Sequence, residues 1–241
     1  MSTPCFAAEL VTFDIGGTLL TFRPDQLQEW CVVLSEVGVN VETGRIEAAL
    51  AGARPRAAAH RRAAVGADHR VSVEAGEARR RRFIVDVLRD AGVSDADLPR
   101  AEAAMKAAFD SPRMYVAFDD ALPVLRELWL RGLKLAAVSN TWPAMPKILM
   151  ALGFDEYLGY WVVSEFLGVE KPAPAIFERA LAIAGAEPGR AIHVGDDLAT
   201  DVEGALGVGM RAVLLDRSGR AQPDGRAPVI QRLDELLTIV E

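Results

Sequence analysis

The chain is poor in cysteine and has no long apolar run, and each shortage removes a class of protein. Only two cysteines occur in 241 residues, Cys5 and Cys31. Neither belongs to a CxxC pair or sits beside a histidine cluster, so a disulfide scaffold and a zinc site are both excluded. They read as reduced bystanders. The longest apolar stretches, such as Leu133 to Val138, fall far short of the roughly 20 residues that a bilayer-spanning helix needs. The segment Met1 to Leu10 lacks a basic stretch followed by an apolar one, the pattern of a secretory leader. No membrane partner and a cytoplasmic location are the resulting expectations. A basic surplus is missing as well: 27 Lys and Arg face 34 Asp and Glu, for a net charge of −7. Phosphate-backbone binding needs a basic surface, so nucleic acid is not expected as a partner. Internal repeats and low-complexity tracts are absent too.

What the chain does have is alternation. Leu10-Val-Thr-Phe-Asp14 is a short β-prone run stopped by Gly16-Gly17. Similar runs are Lys134 to Ser139, Tyr160 to Ser164, Ala191 to Gly195 and Arg211 to Leu215. Between them, apolar spacing predicts helices over Ala121 to Arg131 and over Pro174 to Ala184, the second closed by Gly185. Two more are expected over 199–206 and 229–240. Strands apolar throughout and alternating with helices indicate an α/β fold, a Rossmann-like, doubly wound parallel sheet covered on both faces. In such sheets ligands gather at the carboxyl ends of the strands, where Asp14, Ser139, Asn140, Asp196 and Asp197 fall.

Residues from about Pro24 to Arg113 break this rhythm. They are rich in Ala, Arg, Glu and Leu, contain no convincing strand, and suggest helices near 25–37, 43–52, 73–91 and 97–109. The stretch Ala51 to His69 is the least regular and is expected to be a mobile loop. From Arg45 to Arg113, 14 Lys and Arg face 10 Asp and Glu, against 13 and 24 elsewhere. The expected division is therefore an acidic core of residues 1–22 and 114–241 interrupted by an all-helical module of residues 23–113.

Four pieces carry the chemistry: Asp14-Ile-Gly-Gly-Thr-Leu19, Val138-Ser-Asn-Thr141, Val169-Glu-Lys-Pro-Ala-Pro174 and Val194-Gly-Asp-Asp-Leu-Ala-Thr-Asp201. Taken singly they read as a tight turn, a helix cap, an exposed loop lysine and a solvated helix start. Together, in this order and at strand ends, they resemble the four motifs of the haloacid dehalogenase superfamily, and the helical insertion resembles the C1 cap of its subfamily IA. The resemblance covers nearly the whole chain. It implies a hydrolase in which Asp14 attacks phosphorus to form an aspartyl-phosphate, splitting one displacement into two. Mg2+ would be held by Asp14, the carbonyl of Gly16 and Asp196, with Asp197 or Asp201 supporting it, and Asp201 would orient Lys171. Ser139 or Asn140, with Lys171, would neutralise the transferring group, and Thr18 would seat the reacting oxygens or the turn.

One position departs from that pattern. Phosphatases of this superfamily usually carry a second Asp two residues after the nucleophile, as proton carrier, and here that position is Gly16. A general acid or base contributes about 10² to 10⁴-fold in rate, so slow turnover of poor leaving groups is expected unless His60, His69 or a metal-ordered water substitutes. Dehalogenation, where halide leaves without a proton, is one alternative within the family, and a catalytically weak binding or regulatory protein on the same fold is the other. Dehalogenases usually place Tyr at position 16 and lack an acidic fourth motif, so Gly195-Asp-Asp favours a phosphatase. The expected partner is a small anionic, phosphorylated substrate, with the chain a monomer or homodimer. His193, between Ile192 and Val194, reads as a core histidine, Arg79 to Arg82 as a solvated helix face, and Trp142 as a pocket or packing residue.

Overall fold

The apolar runs pair side by side, and the pairing is parallel throughout. The computed structural model describes residues 6–64, 68–221 and 225–241, so Cys5 lies outside the described residues. In chain order come β1 (Leu10–Phe13), β2 (Leu20–Phe22), α1 (Gln26–Glu36), α2 (Thr43–Ala64), α3 (Val73–Asp90), α4 (Leu98–Phe109) and β3 (Tyr115–Ala117). There follow α5 (Ala121–Leu130), β4 (Lys134–Ser139), α6 (Met145–Ala151), β5 (Tyr160–Val163), α7 (Ser164–Leu167) and α8 (Pro174–Ala184). The last elements are β6 (Ala191–Gly195), α9 (Gly204–Gly207), β7 (Arg211–Leu215) and β8 (Val229–Ile230). The chain divides into two compact units, Met1–Thr21 with Ala117–Glu241, and Phe22–Val116.

The first unit is built on a six-stranded sheet of order β5-β4-β1-β6-β7-β8, all pairs parallel. Leu10, Ala136, Val138, Ala212 and Leu214 point from one face into a core shared with Ile176, Phe177 and Leu181 of α8 and Ala205 of α9. Their alternating neighbours Val11, Phe13, Leu135, Ala137 and Val213 are buried on the other face. Burial on both faces is why these strands read as continuous apolar runs. Each fully buried Leu, Ile or Phe contributes about 1.5–3 kcal/mol.

The second unit consists of α1 to α4 around Trp30, Val33, Leu34, Ile46, Ile84, Val87, Leu88, Ala101 and Met105, all buried. Ser72 caps α3, its Oγ accepting from the Ala75 N–H at 3.1 Å. Arg113 bonds both oxygens of Glu36 at 2.8 Å and also pairs with Glu29. Within the arginine run of α3, Arg81 is exposed and pairs with Glu102.

Two expectations are corrected, and a third is refined. The stretch 51–69 is not a loop through Ala64: α2 continues across Pro55, because its Ala and Arg are strong helix formers that outweigh one lost hydrogen bond. Residues 65–67 of that stretch lie outside the described residues. Residues 229–240 do not form one helix. Val229 and Ile230 pair with Leu214 and Leu215 as β8, and the Gln231 and Arg232 N–H groups both donate to Glu235 Oε1 at 2.9 Å, opening a 3₁₀ segment at Leu233–Thr238. The helix expected over 199–206 is π-helical over Leu198–Glu203 before α9. The short strands β2 and β3, which carry no readable pattern, pair with each other.

Candidate active site

Because β1 lies between β4 and β6 in a parallel sheet, the residues just past all three strands share one edge. Asp14 follows β1, with its N–H donating to the Val194 carbonyl at 2.9 Å. Ser139 ends β4 and is 5% exposed, and Asp196 follows β6. Lys171 comes from the loop ahead of α8 and is 2% exposed.

Lys171 is the hub. Its Nζ donates to Asp14 Oδ1 at 2.6 Å and to Asp201 Oδ1 at 2.5 Å. Burial opposes its charge, yet the two carboxylates outweigh burial and hold Lys171 above the ordinary lysine value. Asp201 accepts in addition from His193 Nε2 at 3.2 Å and, through Oδ2, from the Asp197 N–H at 3.0 Å. Burial works to raise its carboxyl, but the Lys171 charge and the His193 bond overrule that and hold it well below the usual carboxylate range. Both Asp201 oxygens are thus committed to donors. An ionised carboxylate only accepts, so His193 must carry its proton on Nε2, leaving Nδ1 to accept from the Thr12 hydroxyl at 2.8 Å. Burial pushes His193 below the ordinary histidine value, against the pull of Asp201.

One oxygen from each of Asp14, Asp196 and Asp201 lies within 4.8 Å of the other two. Partial burial, then the charges of Asp14 and Asp201, push Asp196 up to about 7. Gly17, at φ 78, makes this crowding possible, since a Cβ there would overlap the Asp196 carboxylate. Gly16 is exposed, and a Cβ on it would meet nothing within 4 Å.

Asp14, Lys171, Asp196 and Asp201 therefore meet, while the remaining candidates are placed differently. Asn140 accepts from the Lys171 N–H at 2.6 Å and donates to the Lys171 carbonyl at 3.0 Å, bracing the lysine's backbone. Asp197, expected near a metal, spends Oδ1 on the Thr200 N–H at 2.7 Å as a helix cap, and Asp201 completes the acidic group in its stead. Thr18 is fully buried, and its hydroxyl has no hydrogen-bond partner. His60 and His69 belong to the unit of residues Phe22–Val116. The sequence did not single out Thr12 or Arg217. Arg217 bonds the Gly17 and Thr18 carbonyls and both oxygens of Asp120, contacts with no local signature.

A family model described as haloacid dehalogenase-like hydrolase matches residues 8–209. The human haloacid dehalogenase-like hydrolase domain-containing protein 3 is 34% identical over 212 residues, covering 86% of this chain and 81% of that protein. A phosphoserine phosphatase of Thermus thermophilus is 33% identical over 150 residues, covering 62% of this chain and 59% of its own length. Among solved structures, a 2-haloacid dehalogenase from Pseudomonas syringae pv. Tomato superposes with a TM-score of 0.64 at 27% identity, over 96% of this chain and 97% of its own. With four of the six strands of the sheet and Asp14, Lys171, Asp196 and Asp201 all inside the matched span, the chain belongs to the haloacid dehalogenase-like hydrolases.

Proposed function

We propose that this hydrolase cleaves phosphoric monoesters of small metabolites, with Asp14 as the attacking group. The observation that carries the reading is the charge pattern at the sheet edge. Lys171 is locked between Asp14 and Asp201, and Asp196 stands beside them with a carboxylate crowded enough to be pushed up to about 7. A carboxylate set so short of positive charge fits a divalent cation. Gly17 leaves room for Asp196 to approach, and Asp201 is saturated by its donors. Asp14 and Asp196 would thus hold Mg2+, with the Gly16 carbonyl as the family resemblance implies. When bound, the ion supplies positive charge that offsets the repulsion between an attacking carboxylate and a phosphoryl group.

The chain's own residues divide the remaining work. Lys171 holds Asp14 Oδ1, leaving Oδ2 to form a bond to phosphorus as the ester P–O bond breaks. The same ammonium neutralises charge on the transferring group, together with Ser139. Gly16 offers no side chain, so the departing alkoxide takes its proton from water. Water then attacks the phosphoaspartate, the bond to Asp14 breaks, and phosphate leaves with the carboxylate restored. The Thermus phosphoserine phosphatase supports this class of substrate. Likeness to a 2-haloacid dehalogenase supports the rival, which the acidic group around Asp196 disfavours.

The test is steady-state release of p-nitrophenol from p-nitrophenyl phosphate with and without Mg2+, alongside Asp14→Asn. Magnesium-dependent turnover confined to the wild type is expected. If wild type and Asp14→Asn are equally inert, a binding protein is the better description, and halide release from a 2-haloacid without Mg2+ would make it a dehalogenase.

A further inference from the structure

Arg217, in the loop after β7, grips the turn that follows Asp14 although 200 residues separate it from Gly17. Its Nε–H donates to the Gly17 carbonyl at 3.2 Å and Nη2 to the Thr18 carbonyl at 2.9 Å. Nη1 and Nη2 also bond the two oxygens of Asp120 at 2.9 and 2.8 Å. The flat face of the guanidinium lies over Phe118, 3.8 Å from the ring centre. Asp120 is itself fixed: its side chain is 1% exposed, and its Oδ2 accepts from the Leu233 N–H at 2.9 Å. Burial opposes ionisation of Asp120, but Arg217 and the Leu233 N–H outweigh it and keep the carboxyl below the usual range.

The start of α5, the loop after β7, the 3₁₀ segment Leu233–Thr238 and the 17–18 turn thus converge on the Arg217–Asp120 pair. On the other side of the turn, the Leu19 and Leu20 N–H groups both donate to the Ile15 carbonyl at 2.9 and 3.0 Å. The turn between Ile15 and Leu20 is therefore held by its own backbone bonds and by Arg217. Gripping two carbonyls and a carboxylate at once needs the planar fork of arginine; lysine, a point donor, has no equivalent geometry. We propose that Arg217, seated by Asp120, is a positioning residue for hydrolysis, holding the Asp14–Thr18 turn in its reactive geometry. The inference rests on Asp14 being the attacking group, and displacement of reacting atoms by about 1 Å costs roughly hundredfold in rate.

Arg217→Lys and Arg217→Ala in the full chain test it by two readouts, p-nitrophenyl phosphate kinetics with Mg2+ and backbone hydrogen exchange. In Arg217→Lys, kcat is expected to fall roughly 10 to 100-fold with KM within about twofold. Amides of Leu19 and Leu20 should exchange at least about tenfold faster while those of β4 stay unchanged. Millimolar guanidinium should restore part of the kcat of Arg217→Ala. Wild-type kcat in Arg217→Lys, unchanged exchange in the turn, or an equal acceleration in β4 that marks general destabilisation would each overturn the assignment. Should wild type hydrolyse no phosphate ester at all, the reading of Asp14 falls, and exchange in the turn still decides whether Arg217 holds it.

Discussion

At the scale of single residues, the site joins one open position to one tightly closed network. Gly16 is the open position: its φ is outside the left-handed region and the space beside it is clear. Gly16→Asp should therefore be accommodated without strain. If its carboxyl supplies the missing proton carrier, kcat/KM for an alkyl phosphate should rise by roughly 10² to 10⁴-fold while aryl phosphate hydrolysis changes far less. An unchanged alkyl-to-aryl ratio would show that protonation of the leaving group is not limiting. Lys171 is the closed one. Lys171→Met strips Asp14 and Asp201 of their buried counter-charge and should cost roughly 3–5 kcal/mol at neutral pH, measured by urea unfolding without Mg2+. Asp201 is depressed in the folded chain and Lys171 raised. The first contribution is present above the unfolded carboxylate value of about 3.9 and lost as pH falls through the folded one; the second is present below about 10.4 and lost above. The gap between wild type and variant should thus be widest from about pH 4 to pH 10 and close in acid, and a gap that grows on acidification would contradict the pairing.

At the scale of elements, legibility followed periodicity. Strands β4, β6 and β7 and helix α8 begin and end where the sequence pattern puts them, because each buries a continuous or helically spaced apolar set. Elements with only two or three residues, β2, β3 and β8, leave no period to detect. Pro55 and the arginine-rich stretch around it read as a break, whereas local propensity carried the helix on. Within the site, Asp14, Lys171 and Asp196 were legible because each ends a recognisable strand or loop motif. The bonds of Asp201 to His193 and of Arg217 to Asp120 were not, since the second pair spans 97 positions and neither partner differs from an ordinary surface residue in sequence. The α3 cap gives a test at this scale: Ser72→Ala removes the acceptor for the Ala75 N–H and should cost about 0.5–2 kcal/mol in urea unfolding. A smaller change would mean that water replaces the hydroxyl.

At the scale of the whole molecule, the acidic edge ties stability to pH and, under the proposed function, to metal. The folded value of Asp196, about 7, lies above its ordinary 3.8, so the folded chain binds the extra proton in that window. Without metal, this contribution to stability declines as pH rises from about 4 to 7. If Asp196 holds Mg2+ as proposed, the ion should compete with that proton and raise the melting temperature more at pH 8 than at pH 5, the stabilisation approaching about 2.7 kcal/mol at a hundredfold excess over its dissociation constant. Equal shifts at both pH values would remove Asp196 from the ion's coordination. No helix among the described residues is long and apolar enough to cross a membrane.

The four-helix segment leaves and rejoins the chain through a single narrow gate. The Phe118 N–H donates to the Leu19 carbonyl at 3.0 Å on one side of it, and the Arg23 N–H to the Met114 carbonyl at 3.1 Å on the other. A doorway pinned by two backbone rungs is indifferent to what is threaded between them. Evolution can therefore exchange the intervening stretch for a longer, shorter or unrelated one at little cost in loop closure, while the sheet edge is inherited intact.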